Sequence, residues 1–175
     1  RPSSKVINFL LKMKMDRKFL DHVITSGEAA MHAINQKKFG KSFFHLGPER
    51  DISVFEKVKD NRTDLHECDF ILCTGLFDDY DNDLDYYKKF LLKHISKKLI
   101  CTNPDLIVHR GNTEELCAGS VAKVFEDLGG EVIYFGKPHK EIYNMCFGSN
   151  EKVLAIGDNL RTCLLYTSPS PRDLD

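Results

Sequence analysis

The sequence predicts an α/β fold with parallel strands under helices, on three observations. Short apolar runs at 69–73 (DFILC), 99–102 (LICT), 131–135 (EVIYF) and 152–156 (KVLAI) suit strands buried on both faces. Segments with apolar residues at helical spacing alternate with them. Gly, Pro, Asn and Asp punctuate the junctions.

In chain order, Val6, Ile7, Leu10 and Leu11 mark a first helix, and Phe19, Leu20, Val23 and Ile24 a short apolar segment. Thr25 and Glu28 have capping-box spacing ahead of a helix through Ala30, Ala33 and Ile34, which Gly40 is expected to end. Residues 42–46 read as a strand, Gly47-Pro48 as a turn and 69–73 as the next strand. Leu84, Tyr87, Leu91 and Ile95 lie on one face of a helix. Strands at 99–102 and 106–108 flank Asn103-Pro104-Asp105, and residues 113–128 are expected to form one long helix closed by Gly129-Gly130. The run 131–135 ends in Gly136-Lys137-Pro138, where Pro138 suits the first position of a helix. The run 152–156 ends in Gly157-Asp158-Asn159.

In an open α/β sheet, ligands bind beyond the carboxyl ends of the strands. Lys137 and Asp158 would thus reach one crevice, an ammonium and a carboxylate suited to a phosphate and a hard divalent cation. Taken singly, a strand-end Asp more often caps the next helix, and a Lys beside a Pro is usually surface.

As a pair, in the order G-K-P then G-D-N, they resemble the third and fourth motifs of the haloacid dehalogenase (HAD) superfamily, nearest its class IIA phosphatases. Residues 23–30 (VITSGEAA), 70–75 (FILCTG), 101–105 (CTNPD), 117–122 (CAGSVA) and 128–132 (LGGEV) extend the likeness from residue 1 to about 162. The resemblance implies a Rossmann-like parallel-sheet core interrupted by an inserted α/β cap. By analogy, residues 1–38 would be partial core, 39–128 cap, and 129–163 core with the third and fourth motifs.

The resemblance also implies a Mg²⁺-dependent phosphatase acting on a small phosphorylated metabolite through an aspartyl-phosphate intermediate. A carboxylate nearing a phosphate dianion meets repulsion of about 4 kcal/mol per unit-charge pair at about 4 Å and effective dielectric ~20, so cations must offset it. Lys137 would be the fixed cation linking nucleophile and phosphate, and Asp158 a Mg²⁺ ligand. Gly157 would admit the backbone closely, and Asn159 would orient a metal-bound water. Asn103 and Asp105 are candidates for contact with the substrate, against the plain reading of a Pro-containing turn. His139 reads as a solvated first-turn residue.

The family's first motif, D-x-D-G, which carries nucleophile and acid/base, does not occur in these residues. The expectation is therefore a fragment cut before its first two motifs and inactive alone. Where the fourth motif usually has Asp the chain has Cys163, and the Pro/Ser-rich residues 164–175 are expected to be non-native. The alternative is a non-catalytic α/β domain that binds a phosphate or metal, in a regulatory role.

Net charge is −1, with 29% charged residues and no basic excess, which argues against a nucleic-acid partner. No apolar run is long enough for a membrane span. The 6 cysteines form no C-x-x-C pair and read as reduced core residues of a cytoplasmic protein. Cap-to-cap homodimers are ordinary in class IIA. The acidic run 78–85 imitates a calcium loop but has Leu84 and Phe90 where Gly and Glu belong, so it reads as a helix N-terminal loop. Gly40-Lys41-Ser42 ends like a P-loop but follows a helix, with Asn35 in place of its first Gly.

Overall fold

A computed structural model describes residues 2–147 and 152 of the chain. Helix α1 (Ser3–Lys12) is followed by a 3₁₀ turn at Arg17–Phe19 and by α2 (Ser26–Asn35). Strand β1 (Phe43–Leu46), helix α3 (Ile52–Phe55), strand β2 (Phe70–Cys73), helix α4 (Leu84–Leu91) and strand β3 (Lys98–Cys101) come next. A hairpin of β4 (Ile107–Arg110) and β5 (Thr113–Leu116) precedes α5 (Ala118–Asp127), β6 (Glu131–Tyr134) and the short α6 (Lys140–Tyr143).

The expected parallel sheet is present, with β1, β2, β3 and β6 pairing in that order and all in parallel. Successive strand residues point to opposite faces, and each face has its own core. Ile71, Cys73, Leu99 and Cys101 pack with Tyr87 and Leu91 of α4 and Val121 and Phe125 of α5. Phe43, Phe70, Leu72 and Ile100 pack on the other side, with Ala29, Ala33 and Ile34 of α2 and Phe55 of α3. With both faces covered, every residue of β2 is buried, which is why the strands read as unbroken apolar runs.

The capping box forms with a twist. Thr25 Oγ1 accepts from the Glu28 N–H at 3.2 Å, as the spacing predicts. The Glu28 carboxylate also accepts from the Ser3 N–H (3.0 Å) and hydroxyl (2.7 Å), tying α2 to the first turn of α1. Burial opposes ionisation of Glu28, but the Ser3 and Thr25 donors outweigh it and hold its pKa below the ordinary value. The residues expected on the inner face of α1 are half-buried, whereas Phe9 and Phe19 are 53% and 70% exposed.

Several boundaries differ from expectation. The second helix ends at Asn35, with Lys37 in the left-handed region, so Gly40 does not end it. Gly40 instead lies against Asp69, whose carboxylate accepts from the Lys41 and Ser42 N–H groups. The expected helix over 113–128 is a strand, Thr113–Leu116, and then a shorter helix. Gly111, at φ 62°, opens a two-residue turn that pairs Arg110 with Thr113, and the chain reverses instead of coiling. The helix does end at Gly129 in the left-handed conformation, as predicted. Pro138 does not start a helix. It sits in a turn closed by the His139 N–H to the Gly136 carbonyl at 2.9 Å, and α6 begins after His139.

The boundary expected after residue 128 falls between α5 and β6. In register, β6 pairs Glu131 with Lys98 and Tyr134 with Cys101, so it completes the sheet begun by β1. Among the described residues Cys68, Cys73 and Cys101 are buried free thiols, and no helix is long and apolar enough to cross a membrane.

Candidate functional site

The carboxyl ends of the four parallel strands open onto one rim with two adjoining clefts. The smaller, of about 700 Å³, is lined by Ser26, Asn103, Asp105, Gly136, Lys137 and Tyr143 among others. The larger, of about 790 Å³, shares Ser26, Asn103 and Asp105 and continues past Thr74 and Gly75 to Arg50 and Asp78. Lys137, Asn103 and Asp105, singled out from sequence separately, therefore stand on one wall.

Local structure fixes that wall. The Asp105 N–H donates to Asn103 Oδ1 at 3.3 Å, closing an Asx turn around Pro104. Two glycines clamp this loop. A Cβ on Gly119 would meet the Pro104 carbonyl oxygen at 2.3 Å, and one on Gly136, at φ 130°, would meet Pro104 Cδ at 2.7 Å. Gly119 also donates its N–H to the Asp105 carbonyl at 3.1 Å. The glycine of Gly-Lys-Pro thus packs directly on the proline of Asn-Pro-Asp. This contact brings the Lys137 backbone beside Asn103 and Asp105 without any bond between their side chains.

Lys137 and Asp105 are exposed and Asn103 is half-buried. Neither Lys137 nor Asp105 forms an ion pair among the described residues. His139 is more than a solvated residue. Its ring stacks on Tyr134 at 4.8 Å between centroids, and burial lowers its pKa. Thr25 caps α2 and also lines the smaller cleft. On the far side of the larger cleft Arg50 pairs with Asp78 and Arg110 with Glu115, leaving that rim predominantly acidic.

Asp158, Gly157 and Asn159 lie outside the described residues, as do Cys163 and the 164–175 tail. Among the described residues no three His, Cys, Asp or Glu side chains converge as a metal cluster. Sequence reading passed over Thr74 and Arg50 as cleft residues. A signal for the rim was present: glycine stands within two residues of the ends of β1, β2 and β6, at Gly47, Gly75 and Gly136. Glycine at successive strand ends marks a place where the backbone turns tightly at a shared edge.

No family model matches the sequence, and no curated protein matches it. Solved structures do. A haloacid dehalogenase-like hydrolase from Brucella suis 1330 is 32% identical, with TM-score 0.72 over 82% of this chain and 59% of that one. A 4-nitrophenylphosphatase from Thermotoga maritima is 26% identical, with TM-score 0.57 over 82% of this chain and 54% of that one. A p-nitrophenyl phosphatase from Archaeoglobus fulgidus, at 16% identity, shares the fold with TM-score 0.68 over 95% and 65%. The chain thus spans 59% of the length of the Brucella hydrolase.

Proposed function

We propose that the chain belongs to the haloacid dehalogenase-like hydrolases, as its 32% identity to the Brucella suis 1330 hydrolase supports, and that it forms the cap and the lysine-bearing rim of a class IIA phosphomonoester phosphatase. The observation that carries the reading is the convergence of Lys137 with Asn103 and Asp105 on one cleft at the carboxyl edge of a parallel sheet. The 4-nitrophenylphosphatase name of the Thermotoga maritima neighbour, 26% identical, supports it. The pairing of β6 with β3 favours a cap that runs past residue 128 to residue 135, with Gly136 as the hinge back to the core.

In this reading a carboxylate attacks phosphorus, the P–O bond to the organic group breaks, and a neighbouring acid protonates the departing oxygen. Water then cleaves the acyl phosphate. With no D-x-D-G in the 175 residues, the nucleophile comes from sequence outside them, and the chain alone is inactive. The Lys137 ammonium, with no competing ion pair among the described residues, offsets the repulsion between carboxylate and phosphate. Asn103 and Asp105 present one amide and one carboxylate to the organic part of a small phosphorylated metabolite. Mg²⁺ would supply further charge neutralisation. The described residues do not by themselves hold the ion, and its place rests on Asp158 with Gly157 and Asn159 beside it. A cytoplasmic location and a homodimer through the cap belong to the same proposal.

The test is Mg²⁺-dependent hydrolysis of p-nitrophenyl phosphate by the full reading frame that contains this chain. Lys137→Met should lower kcat by about 10²- to 10³-fold, the scale of losing one preorganised charge-stabilising donor. Its unfolding midpoint should not move, because the side chain is exposed. A full-length protein that binds inorganic phosphate yet turns nothing over would make it a binding domain, and turnover by the 175-residue chain alone would refute the external nucleophile.

A further inference from the structure

One buried residue behind the larger cleft plays no part in that reading. His45, on β1, is only 1% exposed, with its ring 4.5 Å from that of Phe55 between centroids. Its Nε2 lies 2.8 Å from Thr74 Oγ1, and its Nδ1 has no partner among the described residues. Burial, and next the charge of Arg62, against a weaker pull from Glu49, lower the imidazole pKa to about 4. The ring is therefore neutral near pH 7 and carries one N–H.

The placement of that proton has a consequence at the cleft. On Nδ1 it would be a buried donor without an acceptor. On Nε2 it donates to Thr74 Oγ1 and leaves only a lone pair unmatched at Nδ1. Orphaned buried N–H groups are the rarer of the two in proteins, so the proton belongs on Nε2. Thr74 is then an acceptor toward the ring, and its own O–H is left to find another partner. Thr74 is half-buried and lines the larger cleft, and its side chain makes no second hydrogen bond among the described residues. Gly47 makes room for the pair: a Cβ there would lie 2.2 Å from Thr74 Oγ1 and 3.0 Å from His45 Nε2.

We propose that His45 is a positioning residue that turns the Thr74 hydroxyl into the cleft as a hydrogen-bond donor for an oxygen acceptor on the organic group of the phosphorylated ligand. The ligand's phosphate rests on the phosphatase reading above; the orientation of the hydroxyl does not.

Two measurements separate these layers. In the ¹⁵N-labelled 175-residue chain, imidazole nitrogen spectra at neutral pH should show His45 protonated on Nε2 and bare at Nδ1. A proton on Nδ1 overturns the proposal whatever the protein's activity. In the full reading frame, phenyl phosphate, with no further oxygen acceptor, is compared with carboxyphenyl and hydroxyalkyl phosphates. Thr74→Val and His45→Phe should each raise KM for the oxygen-bearing substrates about five- to tenfold, the size of one lost hydrogen bond. KM for phenyl phosphate and kcat should stay within about twofold, and Thr74→Ser should retain the parent KM. Equal changes for both substrate classes would mean that the pair only braces β1 against β2. Absence of all turnover would count against the phosphatase reading, leaving the spectra to decide the orientation of the hydroxyl.

Discussion

The hairpin of β4 and β5 is as long and as regularly paired as any two strands of the parallel sheet, yet it buries almost nothing. Ile107 and Val108 are 42% and 41% exposed, whereas their counterparts Ile71 and Ile100 are at 0%. The sheet owes its stability to apolar contacts on two faces, roughly 2 kcal/mol for each large side chain removed from water. The hairpin rests on one tight turn, four residue pairs and exposed ion pairs such as Arg110 with Glu115, worth little each. Its ends are set by the clamped Asn103–Asp105 loop on one side and by Cys117 on the other, whose N–H donates to the Leu106 carbonyl at 2.8 Å. Rigid sheet and exposed hairpin therefore meet at the loop that carries the candidate site. Side chains on the hairpin are free to vary with what the cleft binds, while those of the sheet are held by packing.

The sharpest way to break this contrast is a pair of truncations. Phe70 is 1% exposed and contacts the rings of Phe43 and Phe39 at 5.8 and 6.0 Å. Phe70→Ala should cost about 3–5 kcal/mol in denaturant unfolding, and Val108→Ala less than about 0.5 kcal/mol. Similar costs at the two positions would make the hairpin part of the core.

Next in size is the junction. Gly136→Ala places a methyl group 2.7 Å from Pro104 Cδ at φ 130°, which L residues resist. We expect a loss of about 1–3 kcal/mol, with amide shift changes concentrated at residues 103–105 and 136–139. Changes confined to β6 would show that the Asn-Pro-Asp loop does not lean on Gly136.

The smallest effect is expected where Glu28 joins α2 to α1. Its pKa is lowered in the folded state, so its contribution is fully present above the ordinary carboxyl value of 4.5 and fades as pH falls through the lowered folded value. Glu28→Gln should flatten that acid limb of the stability curve while costing under about 1 kcal/mol at pH 7, the scale of a partly exposed interaction. An unchanged acid limb would mean that the α1 tether carries no net energy.

Much of the fold was legible in the residues. Buried parallel strands leave continuous apolar runs, and DFILC and EVIYF could hardly be anything else between turn signals. The α2 cap was legible because Thr25 and Glu28 act across three residues. The first strand of the hairpin was legible at 106–108, but the second was missed because Thr113-Glu-Glu-Leu116 has no strand-like alternation strong enough to outweigh its helix-forming glutamates. Gly111-Asn112 was the overlooked signal. The His45–Thr74 pair had no local trace, since 29 residues and a helical crossover separate its members.

What the chain's own order of residues determined is the class of fold, the strand ends and the identity of Lys137, Asn103 and Asp105 as residues with chemistry to offer, because turn and strand preferences act over a few neighbours. Which strands lie side by side, that 131–134 closes the same sheet as 43–46, and that two glycines press Gly-Lys-Pro against Asn-Pro-Asp were decided only in three dimensions. Such pairings depend on contacts between segments far apart along the chain, and those come into being only when the two faces of the sheet are buried together.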